Sequence, residues 1–144
     1  MNHSTFFREV ADRIECDTAR AEALSLAVFE ELRDRLTVRE VEQAEAQMDS
    51  HLKSMWRALD RPARQVRRVH AGQFIGEVRK MAGLSDDLEA ERAVCAVFAA
   101  LHRLFGSPSG QEGEAGHILS QLPKDLRRLW LKADRLSRVG AKNR

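Results

Sequence analysis

The stretch VCAVFAALHRLF, residues 94–105, is the strongest indication of fold class in this chain. Its large apolar side chains recur at spacings of three and four residues, which places them on one face of an α-helix. They are Val94, Val97, Phe98, Leu101, Leu104 and Phe105. The rest of the 144-residue chain is also rich in strong helix formers and contains only 3 prolines and 8 glycines. The sequence therefore predicts an all-α protein that is long enough to bury its own hydrophobic core.

A weaker copy of this pattern occurs upstream, and matches continue through both halves of the chain. Matched residues lie 68, then 69, then 74 positions apart, so the extra residues of the second half fall outside the periodic segments. Each half ends in a decapeptide that closes on one of the two tryptophans, QMDSHLKSMW (residues 47–56) or QLPKDLRRLW (residues 121–130). Chance similarity between amphipathic helices is the alternative, but the common order of the matches favours an internal duplication. The predicted architecture is two related four-helix units packed into one helical bundle-like domain.

This alignment divides a single compact domain into four segments. They are a first helical repeat unit (1–59), a basic connector leading into the next helix (60–73), a second helical repeat unit (74–132) and a basic C-terminal tail (133–144). The glycine-rich stretch 106–116 is predicted to be the most mobile internal segment. Pro123 suits the first turn of the closing helix of the second unit, where a missing N–H group has little cost.

Apolar positions that match between the two halves are predicted to form the core. They are Phe6, Val10, Val28, Phe29, Leu32, Leu52, Trp56, Phe74, Val78, Val97, Phe98, Leu101, Leu126, Leu129 and Trp130. Helix starts can also be identified. Thr37 with Glu40, and Asp86 with Glu89, have the spacing of capping boxes.

With both halves in view, the chain resembles a bacterial family catalogued as domain of unknown function 2267. The resemblance is carried by FIGEVRKMAGLSDDLEAERAVCAVFAALHRLF (residues 74–105) and GHILSQLPKDLRRLW (residues 116–130), and it extends over roughly residues 6–131. It implies an all-helical, cytoplasmic bacterial protein. The family has no assigned activity and no catalytic residue set, so the resemblance implies no site.

The residue types that usually carry catalysis or bind metals are scattered along this chain. No two histidines lie at the i, i+4 spacing of a helical metal pair: His3, His51, His70, His102 and His117. The stretch 106–116 lacks the lysine of a phosphate-binding loop and follows a helix rather than a strand. Cys16 and Cys95 have no Cys-x-x-C partner. The alternatives are a structural disulfide between them and reduced thiols in a cytoplasmic protein, and we expect reduced thiols. The sequence thus predicts a non-enzymatic protein without cofactor, metal or membrane span.

Charge is the informative signal, because the modest net charge of +2 hides four alternating segments. Residues 8–49 carry a net −6, residues 57–80 carry +5, residues 86–114 carry −4 and residues 124–144 carry +6. One interpretation is intramolecular, with each basic closing helix pairing with the acidic long helix of the other unit. The other interpretations are an acidic protein partner, self-association through complementary faces, and binding of nucleic acid.

The candidate contact residues are the clustered cations around and after each tryptophan. They are Arg61, Arg64, Arg67, Arg68, Lys124, Arg127, Arg128, Arg135 and Arg138. We expect a scaffold or regulatory module that acts by protein–protein contact. The alternatives are a nucleic-acid-binding protein that uses these basic runs, and an enzyme or ligand binder with a site between the repeats.

Overall fold

The fold is known from a computed structural model, which describes residues 1–60, 71–105, 122 and 124–142, with side chains in the last helix described as far as residue 133 and at residue 135. Seven helices and no strand lie within these residues: α1 His3–Ile14, α2 Thr18–Arg33, α3 Val38–Glu45, α4 Ser50–Ala58, α5 Ala71–Ala82, α6 Asp87–Phe105 and α7 Lys124–Lys142. The predicted all-α class is confirmed for this part of the chain. The predicted loop at 106–116 and the predicted role of Pro123 fall outside it.

Two helix boundaries differ from those expected from the sequence. Helix α5 is already helical at Ala71, inside the predicted connector 60–73. Helix α7 continues through residues 133–142, which the sequence assigned to a tail. The continuation follows from composition, because residues 131–139 are mostly good helix formers and contain neither proline nor glycine.

The two long helices, α2 and α6, lie at the centre and contact each other. Helix α1 packs against both α2 and α6, and α5 packs against both α6 and α2. The closing helices are placed alike, with α4 against α2 and α7 against α6. Because the first helix of each half contacts the long helix of the other half, the halves share a single core.

That core contains every apolar residue that was predicted to form it. All fifteen are buried: Phe6, Val10, Val28, Phe29, Leu32, Leu52, Trp56, Phe74, Val78, Val97, Phe98, Leu101, Leu126, Leu129 and Trp130. Equivalent aromatic side chains also meet in equivalent ways. The ring centroids are 5.7 Å apart for Phe6–Phe29 and 5.4 Å for Phe29–Trp56, and 5.8 Å apart for Phe74–Phe98 and 4.9 Å for Phe98–Trp130.

The turns after α1 and α5 also correspond. Glu15 and Gly83, which lie 68 positions apart, both adopt a left-handed backbone with φ of 56° and 65°. Each is followed by a residue whose N–H group donates to a carbonyl five residues back, Cys16 to Ala11 at 3.0 Å and Leu84 to Arg79 at 2.9 Å. This is the Schellman arrangement, which satisfies the carbonyl groups at a helix end.

Asp17 and Thr37 cap α2 and α3, since their side chains accept from the backbone N–H groups of Arg20 and Glu40. Asp86 accepts from the Glu89 N–H group at 2.8 Å in the same way. The Glu89 carboxylate, however, accepts from the hydroxyl and N–H groups of Ser85 rather than closing a full capping box.

A carboxylate at the start of each closing helix ties that helix to the first helix of its half. Asp49 accepts from the N–H group of Leu52, which caps α4, and from the N–H group of His3, both at 2.8 Å. In the second half, Asp125 accepts from the N–H group of Ala71 at 2.9 Å. Partial burial raises the pKa of Asp49, but hydrogen bonds from Leu52 and His3 outweigh it and bring the pKa to about 2.

Replacing Asp49 with asparagine should lower the melting temperature, and the deficit should shrink in acid. The pKa of this carboxyl in the folded protein, about 2, is below its ordinary value of 3.8. The stabilisation is therefore present above about pH 4 and is lost as the pH falls through about 2. Thermal unfolding of both proteins between about pH 5 and pH 2 measures this change. Asp17→Asn, at an exposed cap without the second backbone donor, is the control, and an Asp49→Asn deficit that persists to pH 2 would contradict the assignment.

Candidate binding surface on the last helix

Helix α7 has two faces of opposite character. The side chains that contact the core are Leu126, Leu129, Trp130 and Ala133, all buried. The side chains that face solvent are Lys124, Arg127, Arg128, Leu131, Lys132 and Arg135. We call this second set the basic face. It arises because apolar residues recur at spacings of three and four, which leaves the intervening cations on the opposite side.

The basic face contains four of the nine cations that the sequence singled out. These are Lys124, Arg127, Arg128 and Arg135, and all are exposed. Arg138 lies on α7, but its side chain is outside the described part of the chain, as are Arg61, Arg64, Arg67 and Arg68. Lys132 and Leu131 belong to the basic face and were not among the predicted contact residues. The position of Lys132 could have been predicted from the sequence, since it follows Arg128 by one helical turn and therefore lies on the same side of the helix.

Leu131 lies among these cations and is 43% exposed. Two of the neighbouring charged residues already have local partners. The Arg127 guanidinium donates to the Leu122 carbonyl at 2.8 Å, which fixes the side chain along the helix start. Asp125 is engaged with Ala71. The basic face therefore presents an exposed apolar side chain together with several exposed cations.

Other charged side chains form ion pairs that join one helix to another. Arg103 on α6 pairs with the buried Glu9 on α1, which links the two halves. Arg57 on α4 pairs with Glu45 on α3 within the first half. Neither ion pair joins a closing helix to the long helix of the opposite half, which is the pairing expected from the sequence.

The two tryptophans are held by side chains from the long helices. Arg33 on α2 donates to the Trp56 carbonyl, and His102 on α6 has its Nε2 atom 2.8 Å from the Trp130 carbonyl oxygen. A carbonyl oxygen only accepts, so Nε2 of His102 carries the hydrogen. Arg33 and His102 lie 69 positions apart, which is also the separation of the matched residues in α2 and α6. Both are buried, and His102 therefore has a packing role.

Two adjoining hollows lie along α6, one towards α7 and the other towards α2. The α6–α7 hollow has a volume of about 410 Å³ and is lined by Arg13, Ile14, Leu88, Glu91, Arg92, Cys95, Ala96 and Lys132. The α2–α6 hollow has a volume of about 360 Å³ and is lined by Ile14, Cys16, Arg20, Leu24, Leu84, Asp86, Leu88, Glu89, Arg92 and Ala93. Both hollows combine residues of the first half with residues of the second.

The cysteines that line these hollows are free thiols. Burial raises the pKa of Cys95, and burial together with the nearby Asp17 carboxylate raises the pKa of Cys16. Both therefore stay protonated near neutral pH. Within the described residues, no group of three or more His, Cys, Asp or Glu side chains is arranged to hold a metal ion. No helix in the same part of the chain is both long and apolar enough to cross a membrane.

Comparison with known protein families shows a relationship that covers most of the chain. A family model described as "Uncharacterized conserved protein (DUF2267)" matches residues 3–129, which include α1 to α6 and the first turns of α7. The search of curated proteins found no significant match. The family resemblance noted in the sequence is thereby confirmed over nearly the whole chain. The chain belongs to the DUF2267 family.

Proposed function

We propose that this protein is a non-enzymatic helical scaffold or regulatory module that binds an acidic protein partner through the basic face of α7. The observation that carries the proposal is the arrangement of exposed side chains on that helix. Five cations and Leu131 are exposed on this helix, while the side chains on its opposite side are buried in the core. A rigid helix that presents cations around an apolar side chain has the composition of a partner-binding surface.

An acidic protein fits this surface better than nucleic acid does. Leu131 would gain from contact with an apolar side chain, and a carboxylate can form two parallel hydrogen bonds with an arginine. The described part of the basic face also lacks the aromatic side chains on which unpaired bases stack.

We also propose that the two halves derive from an internal duplication of a four-helix unit in a cytoplasmic bacterial protein. Corresponding features support it at the observed spacings. Glu15 and Gly83 adopt the same turn conformation, and Arg33 and His102 hold the two tryptophan carbonyl groups in the same way. Under this proposal, the halves keep the same core but differ on their surfaces, and the basic face of α7 is the feature that the second half adds.

Reversing two charges on the basic face should abolish partner binding. Arg127 and Arg128 are exposed, and replacing them removes the hydrogen bond from Arg127 to the Leu122 carbonyl but no buried side chain. Arg127→Glu with Arg128→Glu should therefore keep the fold and lower the affinity by at least about tenfold. The protein is immobilised and exposed to native lysate at low and high salt, and the bound proteins are identified and quantified. Arg39→Glu, at an exposed arginine on α3, is the matched control.

The proposal expects an acidic protein that is retained at low salt, released at high salt and lost only in the double variant. Equal recovery by the double variant and by Arg39→Glu would overturn it. Recovery of nucleic acid in place of protein, with the same dependence on Arg127 and Arg128, would establish the alternative function. Light scattering of the purified protein at both salt concentrations tests whether the partner is a second copy.

A further inference from the structure

The two hollows along α6 form one amphipathic groove. They meet at Ile14, Leu88 and Arg92, which line both. Each volume, about 360 and about 410 Å³, falls within the range of small-molecule sites. The groove is also bounded by both halves of the chain, since Ile14 belongs to α1 and Leu88 to α6.

Apolar side chains line the groove where the two hollows meet, and one of them is largely exposed to solvent. Leu88 is 67% exposed, and Ile14 beside it is only partly buried against the core. Leu24, Leu84 and Ala93 continue the apolar lining into the α2–α6 hollow. An apolar tail lying over Leu88 would remove this side chain from water, which is the main driving force for binding such a tail.

Charge distinguishes the two ends of the groove. Arg13, Arg92 and Lys132 line the α6–α7 hollow with Glu91 as its acidic residue. The α2–α6 hollow has two cations and two carboxylates in its lining, Arg20, Arg92, Asp86 and Glu89. Because only the α6–α7 hollow has an excess of cations, it is the end of the groove that favours a small anion.

The geometry points to a binding site for an anionic amphiphile of the fatty-acid class. Its carboxylate lies in the α6–α7 hollow against Arg92 and Lys132. Its tail follows Ile14 and Leu88 into the α2–α6 hollow. Bound in this way, the ligand contacts both halves of the chain and stabilises their association.

Decanoate is the probe, and its binding is measured by titration calorimetry and by thermal unfolding. We expect decanoate to bind one-to-one and to raise the melting temperature. Decylammonium has the same tail with the opposite charge and should not bind at this site. Butyrate has the same head group with a short tail and should bind at least about tenfold more weakly, because most of the apolar contact is lost.

Single substitutions distinguish binding in this groove from non-specific binding of amphiphiles elsewhere on the protein. Arg92→Gln should weaken decanoate binding about tenfold by removing a charge-assisted contact, and Leu88→Ser should weaken it by removing the apolar one. Both residues are exposed, so both variants should fold. Arg39 lines neither hollow, so the Arg39→Gln variant should bind decanoate as the unmodified protein does.

Absence of decanoate binding would overturn the inference. So would equal affinity for decanoate and decylammonium, or affinity unchanged by both Arg92→Gln and Leu88→Ser. The partner proposal is tested separately, because Arg92 and Leu88 lie on α6 and leave Arg127 and Arg128 unchanged. Either proposal can therefore fail while the other stands.

Discussion

Trp130→Ala should lower the free energy of unfolding by about 3–5 kcal/mol, the usual cost of removing a large buried aromatic side chain. Trp130 is 1% exposed, and its ring packs edge-on against Phe98 at a centroid distance of 4.9 Å. It also lies against His102, with ring centroids 4.2 Å apart. The substitution leaves a cavity where α7 meets α6, and the surrounding helices can close it only in part.

Chemical denaturation followed by circular dichroism measures this loss. Trp56→Ala should have a similar effect, since Trp56 is equally buried and packs edge-on against Phe29. Trp130→Phe keeps most of the apolar volume and should lose clearly less stability, so it remains informative if the alanine variant does not fold. A loss below about 1 kcal/mol for Trp130→Ala would mean that the side chain is exposed in solution.

Arg35→Ala should be about as damaging, with a loss of about 3–5 kcal/mol, because it breaks a buried ion pair from one side. Arg35 is 0% exposed, and its guanidinium donates to the Glu31 carbonyl at 2.7 Å and to the Glu31 carboxylate at 2.9 Å. The same group lies over the Phe74 ring, 4.9 Å from its centroid. Arg35 thereby connects the end of α2 to α5.

A double substitution shows whether this cost comes from leaving a buried charge behind. Glu31→Met with Arg35→Met removes both charges and keeps similar volume, so it should recover much of the stability lost in Arg35→Ala. Arg39→Ala, four residues further along and exposed, should change the stability by less than about 0.5 kcal/mol. A loss for Arg35→Ala as small as that for Arg39→Ala would contradict the buried position.

The buried positions follow from the sequence because helical periodicity and matching between the halves identify the same residues. Phe29 and Phe98, for example, are matched in the alignment of the two halves, and both are buried in the core. Burial of Arg35 could not be predicted, since it lies in a stretch of alternating charges that is typical of a solvated helix end. Its position depends on Phe74, which is 39 residues away in the chain, and a local pattern carries no information about such a contact.

The candidate site was predictable only in part, for a related reason. The spacing of Leu126, Leu129 and Trp130 indicates which side of α7 is buried, and so places Arg127 and Arg128 on the opposite side. The groove along α6 is different. Leu88 and Arg92 read as ordinary surface positions on an amphipathic helix. Their significance appears only when Ile14 from α1 and Lys132 from α7 are brought beside them.

Site-specific photo-crosslinking tests the central claim, that α7 presents a partner-binding surface, most directly. A benzophenone amino acid is placed at position 131 on the basic face or at position 38 on α3, where Val38 is 75% exposed. The account predicts that position 131 captures an acidic protein from native lysate, that position 38 does not, and that Arg127→Glu with Arg128→Glu abolishes the capture. Equal capture at both positions, or capture at position 131 that survives the charge reversal, would contradict it.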